Sequence, residues 1–349
     1  MKLLIFELTS SNLERYGEIF CEGFPMLSLL CKDLSKYFQI YTILDSKLKP
    51  YSHKIKAEVL YTKDDFSDLF NETLDRVDAS LIIAPEHDGS LQRLVKMAEK
   101  KVNYSLNCEV NSVSEVSDKS LLYSKLERKG LKVGKYAKAE ELKANSFNLP
   151  LVLKPTKGVA CHGTKLIQNF KQLEFIKGSY IVQEYIKGYP LSLSLLVKED
   201  GSFLLLSVNK QRIHLGFDSS EYLGGIVPYP LDYKNLKHII EKALSCFKGL
   251  KGYIGIDFVF DGKEIYIMDI NPRLTTSYVG LSLSTSNLGE VMYYALIKKR
   301  DENLNFHSYC SFKKIREING LETYLLSPPI KYPVLVAKLF NNLKEAEDF

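Results

Sequence analysis

No Cys-x-x-Cys pair occurs in this chain of 349 residues; its six cysteines, at 21, 31, 108, 161, 246 and 310, stand singly. Thiols scattered in this way argue against a zinc site or a disulfide framework and for a reducing compartment, which we take to be the cytoplasm. Apolar runs of membrane-spanning length are missing as well, so no membrane partner is expected. The five apolar residues that precede Glu7 in MKLLIFE are too few for a secretory signal. A concentrated basic stripe is also lacking. The net charge is +5, with Lys and Arg interleaved among acids throughout, which suits an anionic small ligand but not a dedicated nucleic-acid binder. Neither internal repeats nor low-complexity segments are present, and no Gly-x-Gly-x-x-Gly follows the first apolar run, so the usual dinucleotide fold is not supported.

What remains is an ordinary globular composition, 45% apolar and 26% charged, long enough for two to three domains. Short apolar runs at residues 3–8, 40–44, 58–61 and 80–84 alternate with helical patterns at about 26–38, 65–76 and 90–100. That alternation predicts a parallel sheet in a doubly wound domain. Ligand contacts in such sheets gather past the strand C-termini, where Glu7 and the loop Pro85-Glu86-His87-Asp88-Gly89 fall; ordinary polar loops would look the same.

Residues 105–118 read as a linker, after which Ser117-Asp118 offers an N-cap and Gly130 a helix end. Lys119 then lies in the first turn, unfavourable for a cation unless an anion or solvent relieves it. From residue 149 the texture turns to hairpins. Leu151-Val152-Leu153-Lys154 is a strand, followed by a loop of small residues, 156–164, whose Gly158 and Gly163 let backbone N–H groups approach phosphate oxygens. Cys161-His162 within it lacks an orienting acid, which weakens a nucleophile reading. Strands are expected at 179–186, 191–197 and 203–208, with Gly224-Gly225 marking a turn or a close backbone approach. Amphipathic helices follow at 236–247 and 287–298, and residues 301–349 suggest a strand or two and a terminal helix without assignable chemistry.

The most informative stretch is Gly255–Asn271. It is apolar apart from the turn and from Asp257, Asp269 and Asn271, with the hairpin signal Asp261-Gly262 at its centre. Carboxylates buried in such strands are costly unless paired or metal-bound. A two-residue loop would set Asp257 opposite Tyr266 and turn Asp269 to the other face. A three-residue loop, 261–263, would set Asp257 opposite Ile267, with Asp269 and Asn271 on its own face. We expect the three-residue loop, because three oxygen donors on one face suit Mg²⁺ held against phosphates; an edge hairpin with acids in water is the alternative.

Taken in order, these elements resemble the ATP-grasp superfamily over roughly residues 116–300. The resemblance implies an N-terminal α/β domain (1–115), a subdomain with a phosphate-covering loop (116–186), a subdomain with a metal-binding hairpin (187–300) and a C-terminal extension (301–349). The fold class expected is α/β, the catalytic part being two α+β subdomains. It also implies ATP and Mg²⁺, or Mn²⁺ in its place. Lys119 in SDKSLL and Lys154 in LVLKP match the lysines on the ATP phosphates, and the 156–164 loop matches the lid over them. Gln183-Glu184-Tyr185-Ile186 matches the hinge that reads adenine, chiefly through main-chain groups of Glu184 and Ile186. Asp257, Asp269 and Asn271 match the metal ligands, and Arg273 the arginine beside the transferred phosphoryl group, so Lys154 and Arg273 carry the catalytic expectation. Two departures stand out. The hinge opens with Gln183 where Glu is common, and a ribose-binding Glu is replaced by Pro190, with Ser192 as a substitute.

Enzymes of this superfamily phosphorylate a carboxylate and let an amine displace the phosphate, a reaction that depends on positioning and charge. Three stretches, FELTSSNLERYGEIFCEGFPMLSLL, EYLGGIVPY and INPRLTTSYVGLS, are similar to the tyramine–L-glutamate ligases of methanofuran biosynthesis. That narrower resemblance implies small-molecule substrates, with Arg273 and Thr276 near glutamate and Glu86 receiving the ammonium group of tyramine. A ligase resembling the pyrrolysine-pathway lysine ligase, or a nucleotide-binding module without activity, stays open on the sequence. A homodimer is compatible with it.

Overall fold

The computed structural model describes residues 1–349 apart from 18, 64, 143–145, 159, 160, 175, 177, 319–323 and 331–332. The alternating runs of the N-terminal part form β1 (Lys2–Glu7), β2 (Gln39–Asp45), β3 (Glu58–Thr62), β4 (Ala79–Ile83) and β5 (Tyr104–Ser105). They pair in parallel in the order β3-β2-β1-β4-β5. The chain builds outward from β1 on one side and then on the other, so the order reverses between β1 and β4. Both loops singled out in the sequence leave the sheet at that point, and their fates differ. Glu7 is fully buried and spends its carboxylate on its own chain. It accepts the N–H groups of Thr9 and Ser10 at 3.0 and 2.8 Å and both their hydroxyls, capping the helix Leu8–Ser11. A Cβ at Gly23 would lie 2.5 Å from Glu7 Cδ, so a glycine there lets a later helix press onto this cap.

That later helix, Phe20–Leu34, follows a short one at Leu13–Tyr16 and begins six residues before the expected start. Gly23 and Pro25 blur the periodicity of its first turns, yet Phe20, Phe24 and Leu27 are all buried. The presumed linker 105–118 holds a helix, Val110–Val116, whose Val113 and Val116 pack into the core; it was too short for its period to show.

The remaining chain makes two antiparallel sheets. The smaller one comprises β6 (Tyr136–Lys138), β7 (Leu151–Pro155), β8 (Lys165–Ile167) and β9 (Tyr180–Glu184), ordered β6-β9-β7-β8. It closes over a core of Leu151, Leu153, Ile167 and Val182. The larger one contains β10 (Tyr189–Val197), β11 (Phe203–His214), β12 (Glu221–Val227), β13 (Gly252–Phe260), β14 (Ile265–Asn271), β15 (Tyr309–Ile315), β16 (Tyr324–Leu325) and β17 (Val334–Phe340). Its order is β14-β13-β10-β11-β12-β15-β17-β16. Residues 301–349 therefore give three strands rather than one or two, and they extend this sheet before the helix Leu343–Asp348. Gly224 makes the junction: with φ of 138°, it sits where a Cβ would come within 2.1 Å of the Phe312 carbonyl oxygen. The glycine pair is thus a close strand approach, not a turn. No described helix is long and apolar enough to cross a membrane.

The hairpin β13–β14 corrects the expected loop. Phe260 pairs with Ile265, which leaves four residues, 261–264, in the connection. Asp261 holds them, its side chain accepting from the N–H groups of Lys263 and Glu264 at 2.8 Å, with Gly262 at φ 97°. An even loop alone would place Asp257 and Asp269 on opposite faces. Between Phe258–Ile267 and Asp257–Asp269 the register slips by one, with Met268 as the extra residue of a β-bulge. The bulge restores the parity of an odd loop, and Asp257 faces Asp269 directly instead of Ile267.

Candidate active site

A cleft of about 460 Å³ lies between the two antiparallel sheets, lined by Lys154 and Gln183 from the smaller one and by Ser192, Asp257, Asp269 and Asn271 from the larger. Lys119 enters it from the helix Lys119–Arg128. Asp118 caps that helix by accepting from Ser120 N and Leu121 N at 2.9 and 3.2 Å. The cation in the first turn is relieved by an anion, not by solvent: Lys119 is buried and its Nζ donates to Asp269 Oδ2 at 2.7 Å.

Lys154, on β7, donates to Gln183 Oε1 at 2.7 Å and lies 3.4 Å from the Tyr123 hydroxyl. Burial, followed by the charge of Lys119, pushes its amine down to about 8. Lys154, held partly against its own charge beside Lys119, is prepared for a polyanion, whose arrival would relieve that repulsion. Gln183 also donates from Nε2 to the Val133 carbonyl. A glutamate would lack that donor, which accounts physically for the departure at this position. Farther along, the Glu184 N–H donates to Lys135 O at 2.9 Å and the Tyr185 N–H to Pro150 O at 3.1 Å. The Ile186 N–H faces no acceptor among the described residues. The hinge therefore offers one free donor. Tyr185 is exposed, and Ser192 accepts from Asn209 Nδ2 at 3.2 Å while standing opposite Asp257 across β10 and β13.

In the covering loop, Gly158, Cys161 and His162 line the cleft, and Gly163, at φ 72°, sits where a Cβ would meet Pro155 at 2.8 Å. Val159 and Ala160 lie outside the described residues. Burial pushes the Cys161 thiol up to about 11, which disfavours the thiolate that a nucleophile needs.

The hairpin carboxylates are an electrostatic problem in the protein alone. Burial first, and Asp269 second, push Asp257 up to about 6, although Asn271 Nδ2 and Gln211 Nε2 each donate to it at 2.9 Å. A divalent cation fits this donor set, because it would offset two facing carboxylates and take hard oxygen ligands. No group of three acidic, histidine or cysteine side chains with metal-site spacing occurs among the described residues. The rest of the shell would come from water and ligand oxygens, the habit of Mg²⁺ more than of Ca²⁺.

Beyond the hairpin, Arg273 Nε lies 2.8 Å from Glu86 Oε1, and its Nη2 donates to Glu86 Oε2 at 3.0 Å. Glu86, of the 85–89 loop, meets the site through Arg273 and does not itself line the cleft. It stands behind the guanidinium of Arg273, which does line the cleft, so it is not open to a substrate ammonium group. Thr276 donates instead to a carboxylate the sequence reading passed over, Glu22 Oε2. Glu22 lines the cleft, is buried, and pairs through Oε1 with Lys314 of β15. Its signal was an acid on an otherwise buried helix, FCEGF; Lys314, in the charged run KKI, gave none. Gln211 was missed because the strand was expected to end at residue 208, whereas β11 runs on to His214.

A family model described as an ATP-grasp domain matches residues 116–277, and one described as a pre ATP-grasp 3 domain matches residues 38–113. Among curated proteins, the tyramine–L-glutamate ligase of Methanocaldococcus fervens is 31% identical over 225 residues, 61% of this chain and 64% of that protein. That of Methanocaldococcus jannaschii is 28% identical over 214 residues, 61% of each. The matches thus span a little under two thirds of these relatives' length. Among solved structures, a protein from Archaeoglobus fulgidus assigned to the ATP-grasp superfamily superposes with a TM-score of 0.76 at 23% identity, covering 98% of this chain and 100% of that one. An ADP complex of N5-carboxyaminoimidazole ribonucleotide synthetase gives 0.74 at 15% identity, covering 99% and 94%. At these identities the superpositions show the fold alone.

Proposed function

Given that the chain belongs to the ATP-grasp superfamily, we propose that it is an ATP-dependent carboxylate–amine ligase that joins the γ-carboxylate of L-glutamate to the amine of tyramine. The observation that carries the ligase reading is the face shared by Asp257 and Asp269, with Lys119 and Lys154 beside it and Arg273 beyond.

The chain's own groups divide the work. The Ile186 N–H and the Glu184 carbonyl receive the adenine edge, and Lys119 and Lys154 take the phosphates. Asp257, Asp269 and the Asn271 amide oxygen would hold Mg²⁺, which neutralises phosphate charge. Arg273, fixed by Glu86, stands where the terminal phosphoryl group meets the acceptor carboxylate and stabilises charge spreading over its oxygens. A carboxylate oxygen attacks the γ-phosphorus and ADP leaves. The amine then attacks the acyl carbon, loses a proton, and phosphate departs. The 156–164 loop excludes water from the acyl phosphate while this happens. Glu22, the carboxylate of this end that itself lines the cleft, receives the α-ammonium group of the amino acid.

The test is mass spectrometry of products from ATP, Mg²⁺, glutamate and a panel of amines, with ADP release followed in parallel. A glutamyl-tyramine adduct with one ADP per amide is expected. Absence of ADP release with every amino acid and amine pair would remove the ligase reading. An adduct with another amine but none with tyramine would remove the substrate assignment only.

A further inference from the structure

Glu22 and Lys314 come from opposite ends of the chain and meet at 2.5 Å with both side chains largely buried. Lys314 lies on β15, beyond the residues matched by the ATP-grasp domain model. We infer that Lys314 is a positioning residue of the amino-acid end of the cleft, holding Glu22 ionised and fixed in the wall so that it can receive a substrate ammonium group. The inference deepens the ligase reading and rests on it.

A carboxyl group in this position would not keep its charge unaided. Burial alone favours the protonated form. Cys21, Cys161 and Tyr222 lie within its field without supplying a cation. Of the two cations within range, Arg273 gives its fork to Glu86. Lys314 is therefore the cation Glu22 has for itself, and with Thr276 on the other oxygen it fixes the carboxylate in two directions. Lys314 is itself steered, its Nζ lying 5.8 Å from the centre of the Tyr222 ring, another cleft residue. It does not line the cleft, so it acts through Glu22. The substrate class this selects is a carboxylate that also carries an ammonium group; a dicarboxylate without one would gain nothing from the arrangement.

Steady-state ADP release with glutamate and with glutarate, its deamino counterpart, tests this in wild type, Lys314→Met and Lys314→Arg. Loss of one charged contact corresponds to about a tenfold rise in KM for glutamate in Lys314→Met. The preference for glutamate over glutarate should fall by about the same factor, with KM for ATP little changed. Lys314→Arg should restore most of the preference. An unchanged preference in Lys314→Met would overturn the inference, as would equal rises in both KM values that arginine does not rescue. If Lys314→Met fails to fold, the neutral pair Glu22→Gln/Lys314→Met takes its place: it should match Glu22→Gln alone, and a larger glutamate defect in the double variant would overturn the inference. A wild-type protein that releases no ADP with any pair removes the ligase reading and the inference with it. An active wild type indifferent to Lys314 removes the inference alone.

Discussion

Arg273→Met is expected to abolish amide formation and to lower the unfolding free energy by about 3–5 kcal/mol, the usual cost of leaving one member of a buried ion pair alone. The partner left behind is Glu86, whose side chain is 7% exposed and whose two oxygens both lie on the guanidinium. Stability and turnover should separate in a second variant. Arg273→Met/Glu86→Leu removes both charges, and because a buried pair is itself expensive to desolvate, much of the lost stability should return. Turnover should not, since the cation beside the transferred phosphoryl group is still missing. Urea denaturation of the two variants against wild type reads the first quantity, and product formation the second. A single variant as stable as wild type would show that the pair contributes no more than a surface contact.

Asp269→Asn is expected to cut kcat by about 10²–10³ or more while the fold stays intact, the scale on which a positioned charge at a transition state is worth removing. The shape of the side chain is kept, so the bulge and the β13–β14 register should survive. What is lost is the anion that pairs with Lys119 and faces Asp257. Removing it also eases the crowding of charge on Asp257, which works against any destabilisation. Far-UV circular dichroism should stay close to wild type, the melting temperature should fall because buried Lys119 loses its partner, and the Mg²⁺ concentration needed for half-maximal rate should rise. Full activity in this variant would remove Asp269 from the metal set.

Much of this site was legible because its chemistry is written in local runs. The lysine that ends a strand before a small-residue loop, and acids spaced within an apolar hairpin, mark themselves without reference to the rest of the chain. The shared face of Asp257 and Asp269 could be read from the cost of burying them. The means could not be, because a bulge at Met268 leaves no composition signal and its parity replaces that of the loop. Helix starts were misread where Gly23 and Pro25 interrupted the period, although packing overrode both. Least legible were the long-range pairs. Nothing near Glu22 announces Lys314, and nothing near Glu86 announces Arg273, since each pairing exists only once the N-terminal domain meets the larger sheet. Residues 301–349 carried no assignable chemistry as a sequence, yet they continue the sheet that forms one wall of the cleft.

The bulge at Met268 divides the hairpin into two parts with different freedom. Toward the tip, the four residues 261–264 lie outside the strand ladder, so lengthening that connection leaves the pairing of Asp257 with Asp269 untouched. The tip is a place where sequence can be grafted, whether by evolution or by an engineer inserting a peptide label. Met268 has no such latitude. A ladder without the bulge, in which Met268 itself stood opposite Asp257, would turn Asp269 to the far side of the strand while every residue of the site kept its identity, giving a protein with an intact motif and no means of using it.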